Sequence, residues 1–204
     1  MLRVGLTGNY GMGKSIVLAQ FENLGAITLD ADEIVEDLLS QQEVLEKIRG
    51  ILGSTVFDEE GRLNKKKVAD LIFKNDILKG SLEDFLHPLV FRRIENFLKN
   101  VHDNEAVVVI EVPLLFERGY DKGFDRTVTV FTEVETALHR LEKNGVARDR
   151  AMQRLRSQLP VEEKMNKSDF LINNNETPDK TMTQVTAIYK KLLKEARVGH
   201  NKRA

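Results

Sequence analysis

The chain has 204 residues, 32 acidic against 31 basic, and no cysteine, a length that suits one domain with modest insertions. The near balance of charge removes any net field that would draw the whole chain to nucleic acid or an anionic membrane, so a basic patch must be local. Without cysteine, disulfides, thiolate metal sites and cysteine nucleophiles are all excluded.

The first element is the apolar run Leu2–Thr7 in "MLRVGLTGN", which has neither the long apolar core nor the cleavage pattern of a secretion signal. It reads as an opening strand. Lys14–Leu24 follows as an amphipathic helix with Gly25 placed to end it, and Ala26–Leu29 reads as a second strand. The long stretch Glu33–Glu105 is helical in pattern apart from the turn "DEEGRLN". Further strands read at Ala106–Val112, Thr127–Phe131 and Phe170–Ile172. The run "VVVIEV" is mostly apolar on both faces, as expected of a strand buried between helices. Glu133–Lys143 and Pro178–Ala196 read as helices, the second with proline in its first turn, and the final "VGHNKRA" as a frayed tail. No apolar stretch reaches the length of a membrane span. The expectation is a cytoplasmic protein with no membrane and no nucleic-acid partner.

Strands alternating with helices predict an α/β layer fold with a mostly parallel sheet. One spacing breaks the rhythm. More than seventy residues separate the second and third strands, whereas a parallel crossover needs only about a dozen. The excess predicts a helical insertion beside the sheet, where a binding partner could sit.

Gly8–Ser15 reads G-N-Y-G-M-G-K-S, a full match to the phosphate-loop pattern G-x-x-x-x-G-K-[ST]. Each residue type has a reason. Gly8 lets the chain turn out of the strand, and Gly13 removes a side chain where backbone must approach phosphate. The N–H groups of residues 11 to 15 then face a concavity at a helix N-terminus, where the helix dipole favours anionic oxygens. Lys14 would reach the β- and γ-phosphates and the Ser15 hydroxyl would ligate magnesium.

Ligands in such sheets collect beyond the carboxyl ends of the strands. Asp30 and Asp32, in "AITLDADEI", fall there. Asp32 could accept a proton from an acceptor hydroxyl or merely cap the helix that follows, and position alone leaves the two even. Glu111, at the end of the third strand, reads as a magnesium-shell carboxylate or, with slight preference, a paired polar residue. Arg140, Arg148, Arg150, Arg154 and Arg156 crowd two helical segments from which arginines could close over a phosphoryl group.

The phrases "GLTGNYGMGKS", "LGAITLDADEIV", "LEDFLHPLV", "VPLLFERG", "RLRSQ" and "SDFLINNN", in this order and spacing, resemble the dephospho-coenzyme A kinases. The resemblance runs from Leu2 to about Tyr189. It implies a P-loop NTPase three-layer fold with a five-stranded parallel sheet, a helical substrate-binding insertion and a small helical lid. As one kinase domain over 1–204, the core would take about 1–33, 104–138 and 167–196, the insertion about 34–103 and the lid about 139–166. The implied activity is transfer of the ATP γ-phosphoryl group to the ribose 3′-hydroxyl of dephospho-coenzyme A, with Mg2+, by a monomer or small homo-oligomer.

The same resemblance implies roles residue by residue. Gly11, Met12, Gly13, Lys14, Ser15 and Ile16 would hold the ATP phosphates, with Ser15 also on magnesium. Asp32 becomes the general base, acting with Lys14 and Arg140. Thr7, His87 and Pro88 match positions on the acceptor side. Arg154 matches a lid position over the phosphates, and Asn174 an asparagine near the adenine. There are departures: Asn9 replaces a glycine, Ile16 a threonine, Lys143 a lid arginine and Glu111 a frequent aspartate. Ile16 therefore offers no hydroxyl to the α-phosphate.

Two other readings compete. One is another P-loop small-molecule kinase, against which the long insertion and the D-A-D phrase count. The other is a nucleotide-dependent switch, which needs a guanine-reading N-K-x-D. "NKSD" at Asn166 matches literally but falls before the last strand, where a helix end running into that strand is the simpler reading.

Overall fold

The computed structural model of the chain describes residues 1–201, with side chains as far as residue 198. Five strands, β1 (Leu2–Thr7), β2 (Ile27–Asp30), β3 (Val107–Glu111), β4 (Arg126–Phe131) and β5 (Phe170–Asn173), form one sheet in the order β2-β3-β1-β4-β5. Every pairing is parallel, and Glu111 stands in register with Leu6 on one side and Asp30 on the other. The helices are α1 (Lys14–Asn23), α2 (Ala31–Leu38), α3 (Gln42–Leu52), α4 (Lys65–Phe73), α5 (Asp76–Lys99), α6 (Val134–Lys143), α7 (Arg148–Arg156), α8 (Val161–Lys167) and α9 (Pro178–Asn201). The chain divides into two compact units, one of residues 1–30 with everything from Val101 onward, the other Ala31–Asn100.

In the first unit the alternation of each strand decides which helix it faces. Val4, Leu6, Val107, Val109, Val128 and Val130 point to one side and meet Val17 and Phe21 of α1 with Val185 and Leu192 of α9. Phe21 is fully buried and stands edge-on to Tyr189, ring centroids 6.4 Å apart. Truncating such a ring to alanine costs about 3–5 kcal/mol. The opposite face is covered too, because a Cβ on Gly5 would lie 3.0 Å from the Leu115 side chain, and α8 packs on β4. The result is an α/β layer fold on a parallel sheet, as the strand–helix alternation predicts, in the three layers that the resemblance implies. All five residues of β3 are buried, as a central parallel strand requires.

The second unit is helical, as the insertion was expected to be. Its core gathers Val44, Ile48 and Leu52 of α3 around Val56, Phe57 and Leu82. The predicted turn "DEEGRLN" closes on itself: Phe57 bridges Leu63, and Asp58 Oδ1 accepts the Glu60 and Arg62 N–H groups. Asn64 caps α4 by accepting the Lys67 N–H, and Asn75 caps α5 by accepting those of Ile77 and Leu78. Pro88 sits inside α5, where its ring removes one backbone donor.

The differences from the sequence reading lie at element ends. β2 begins at Ile27 and includes Asp30, because its ladder with β3 runs on to Glu111. The helical stretch begins earlier, at Ala31, and α5 ends at Lys99, well short of Glu105. Helix α9 continues through Val198 to Asn201 instead of fraying at "VGHNKRA". Residues 202–204 of that phrase lie outside the described residues.

Candidate active site

The phosphate loop leaves the carboxyl end of β1, the central strand, where β3 lies on one side and β4 on the other. That is the point at which strand order reverses and ligands bind in open parallel sheets. Gly8 has φ +152°, and a Cβ there would lie 2.3 Å from the Val130 carbonyl oxygen. Gly13 has φ +89°, and a Cβ there would lie 2.2 Å from Asn174 Nδ2. Neither position tolerates a side chain. Gly13 is also the N-cap of α1, with no side chain capping that end, so the positive end of the helix dipole is left to an anion.

Lys14 Nζ stands 3.7 Å from Glu111 Oε1, and both side chains are almost wholly buried. Glu111 is thus a paired acid at the strand end, as slightly favoured from sequence. Arg140, in the last turn of α6, donates from Nη2 to the Asn174 carbonyl at 2.8 Å. Its other terminal nitrogen, Nη1, is buried with no hydrogen-bond partner and would be 4.0 Å from a Cβ on Gly13. A buried guanidinium nitrogen left without an acceptor is costly. Beside a phosphate loop, an anionic oxygen is the acceptor that fits. The residues present therefore suit a polyphosphate.

Asn174 occupies the back of the loop. Its Nδ2 donates to the Met12 carbonyl at 2.9 Å, and its Oδ1 accepts from the Thr181 hydroxyl at 2.9 Å. Both ends of the amide are engaged and the residue is buried, so Asn174 is tied to the loop at Met12. Thr7 is also buried, and its hydroxyl donates to the Pro113 carbonyl at 3.1 Å. It is the last residue of β1 and directly precedes Gly8. Arg154, on α7, lies over the Tyr10 ring at 4.1 Å, a cation–π contact with the loop itself. Ser15 and Ile16 are exposed in the first turn of α1.

The first unit thus assembles Thr7, Gly11–Ile16, Arg140, Arg154 and Asn174 around one loop. Asp32, His87 and Pro88 belong to the second unit. Asp32 is exposed in the first turn of α2, two residues past the end of β2. His87 is half-buried on α5, and burial lowers its pKa below the usual 6.5 against the opposing charge of Asp84.

Sequence reasoning missed a second layer of residues. Lys164 of α8 is fully buried, forms an ion pair with Glu117 at 2.8 Å and donates to the Pro113 carbonyl at 2.9 Å. Burial foremost, with the Lys14 charge, pushes its ammonium below the usual lysine range, while Glu117 holds it up. Asn9 Nδ2 donates to the Leu159 carbonyl at 3.0 Å and the Tyr10 N–H to Gln158 Oε1 at 2.8 Å. Glu117 and Gln158 stand in the phrases "VPLLFERG" and "RLRSQ", which was the only signal. Lys164, in "VEEKMNK", reads as any solvated helix lysine.

The "NKSD" phrase is resolved. Asp169 Oδ2 accepts the Thr127 N–H at 2.7 Å and its hydroxyl at 2.9 Å, at the amino end of β4 and the edge remote from the loop. It reads no base. No three His, Asp or Glu side chains gather as a metal site among the described residues. A magnesium ion carried by nucleotide phosphates needs only one or two protein oxygens, and Ser15 offers one. No helix among the described residues is long and apolar enough to cross a membrane.

A glycine-rich loop joining a central parallel strand to an uncapped helix, with a buried lysine and an arginine turned to it, defines a nucleotide-phosphate site of the P-loop class. The chain belongs to the dephospho-CoA kinase family, whose model matches residues 2–179. A dephospho-CoA kinase of Aquifex aeolicus is 34% identical over 196 residues, covering 96% of this chain and 100% of its own. Among solved structures, a Thermus thermophilus protein superposes with a TM-score of 0.82 at 28% identity, covering 94% of this chain and 97% of its own. Dephospho-CoA kinase from Campylobacter jejuni gives 0.68 at 25% identity, covering 95% and 98%.

Proposed function

We propose that the protein transfers the γ-phosphoryl group of ATP to the ribose 3′-hydroxyl of dephospho-coenzyme A, giving coenzyme A and ADP. The observation that carries this is the buried, unpartnered Nη1 of Arg140 beside Gly13, in a chain of the dephospho-CoA kinase family. The N–H groups of residues 11–16 and the Lys14 ammonium hold the triphosphate, and Arg140 and Arg154 offset charge that grows on the equatorial oxygens. Asp32 takes the proton of the 3′-hydroxyl as that oxygen bonds to the γ-phosphorus. The bond from phosphorus to the β–γ bridging oxygen breaks in line, and ADP departs. His87 and Pro88 belong to the acceptor side. Thr7 belongs to the acceptor side as well, and Asn174 lies near the adenine of ATP.

Ser15 Oγ would hold the magnesium ion, which when bound neutralises charge on the β- and γ-phosphate oxygens. Residues 34–103 form the acceptor-binding insertion and 139–166 the lid of one kinase domain. The protein works in the cytoplasm as a monomer or small homo-oligomer. An ADP-release assay over a panel of acceptors, with phosphorus NMR on the product, tests the proposal. ADP should appear only with dephospho-coenzyme A, and the new phosphate should sit at the 3′ position. Hydrolysis of GTP indifferent to the acceptor would overturn it in favour of a switch.

A further inference from the structure

A closed ring of hydrogen bonds begins at Thr7 and ends at Asn9, the residues on either side of Gly8. The Thr7 hydroxyl donates to the Pro113 carbonyl at 3.1 Å, and the same carbonyl accepts from Lys164 Nζ at 2.9 Å. Lys164 pairs with Glu117 Oε1 at 2.8 Å, which also accepts the Leu159 N–H at 3.1 Å. The Leu159 carbonyl then accepts from Asn9 Nδ2 at 3.0 Å. Lys164 has no exposed surface, so it cannot touch a bound nucleotide. A glycine is a free pivot for the chain unless the residues on both sides of it are held. Here both are held, Thr7 by the Pro113 carbonyl and Asn9 by that of Leu159, and one ammonium group links the two anchors.

We propose that Lys164 is a positioning residue for nucleotide binding, closing a ring that fixes the direction in which the phosphate loop leaves β1. The ring passes through Leu159, between α7, which carries Arg154, and α8, which carries Lys164. The loop N–H groups and the Arg154 segment are therefore set by the same bonds. A cradle of backbone donors works only if its N–H groups converge on one point, so slack at Gly8 should appear as lost affinity for the triphosphate. The acceptor should feel little of it.

The inference rests on the loop being an ATP site, so the experiment reads ATP binding directly by titration calorimetry, without acceptor. The proteins are the parent chain, Lys164→Met, Asn9→Ala and the double variant, each checked for folding by its melting curve. Lys164→Met should weaken ATP binding about tenfold and Asn9→Ala about threefold, and the double variant should be no weaker than about tenfold, since both break one ring. The KM for dephospho-coenzyme A should stay within about twofold. ATP affinity unchanged in a folded Lys164→Met protein would overturn the proposal, as would losses that multiply in the double variant or a matching rise in the acceptor KM. If Lys164→Met does not fold, Thr7→Val with Asn9→Ala puts the same question to the two ends of the ring. Losses that fail to multiply there support it, and independent or absent losses sink it. A parent chain that binds no ATP removes the ATP reading and the proposal together, and that result is seen before any variant is made.

Discussion

The first unit buries two of its ion pairs beside exposed ones such as Arg148–Glu135 and Lys180–Glu176, and the buried two differ sharply from pairs in the second unit. In the first, Lys14–Glu111 and Lys164–Glu117 are ion pairs with little or no exposure, placed at one end of one strand. In the second, Lys65–Glu36 and Arg93–Asp37 leave half or more of each side chain in water. Exposed pairs of that kind contribute about 0–1 kcal/mol each, so the helical unit is held by its apolar core and its asparagine caps. Buried pairs are poor stabilisers as well, since desolvation consumes most of their attraction. Their presence beside the phosphate loop points to a use other than stability. A cation kept out of water acts on a bound anion at low dielectric, where its effect is largest.

The comparison is tested most sharply by two substitutions, one in each unit. Asp32→Asn should lower kcat by a factor on the order of 10² to 10⁴, the usual contribution of a general base, while ATP affinity stays at the parent value. Steady-state kinetics beside calorimetry would show the split, and normal turnover would remove Asp32 from that role. Lys14→Ala should lower kcat/KM roughly 10²- to 10³-fold, as loss of a donor to transition-state charge does, and here ATP affinity should fall as well. If both variants lost nucleotide affinity alike, the division of labour between the units would be wrong.

A smaller effect separates the charged side of the loop from its neutral brace. Thr181→Val keeps the shape of a side chain that is 1% exposed but leaves the Asn174 Oδ1 acceptor without its hydroxyl donor. A buried acceptor so orphaned costs about 1–3 kcal/mol, readable as a lower denaturant midpoint. ATP affinity should fall modestly with it, because Asn174 holds the Met12 carbonyl. An unchanged midpoint would mean the brace carries no load.

What the sequence made legible follows from which forces are local. β1 was readable to the residue, because an apolar run that stops at a glycine has few other fates. The phosphate loop was readable because backbone geometry dictates its glycines at fixed spacing, and the dihedral angles at Gly8 and Gly13 bear that out. Asp30 was left off β2 because a carboxylate argues against a strand, although the last residue of a parallel strand faces the ligand edge and not the core. Lys164 could not have been found. Its burial depends on Glu117 and Pro113, remote in sequence, and nothing in "VEEKMNK" separates it from the lysines that face water. Asn174 was placed by resemblance near the adenine, and its hydrogen bonds to Met12 and Thr181, remote in sequence from one another, had no signal in the sequence.

The smallest expected effect belongs to the one titrating group that burial perturbs in the helical unit. Burial keeps the His87 imidazole neutral to lower pH than a free histidine, with the Asp84 charge opposing. Between the lowered value and about 6.5 the unfolded chain binds a proton that the folded chain refuses, so stability must fall as pH drops through that window. Above it His87 contributes no pH dependence. Because many carboxylates titrate further down, the test is a difference of differences: melting temperatures at pH 7.5 and 5.5 for the parent and for His87→Gln. The variant should lose less on acidification than the parent does. Equal losses would show that His87 accepts its proton as readily folded as unfolded.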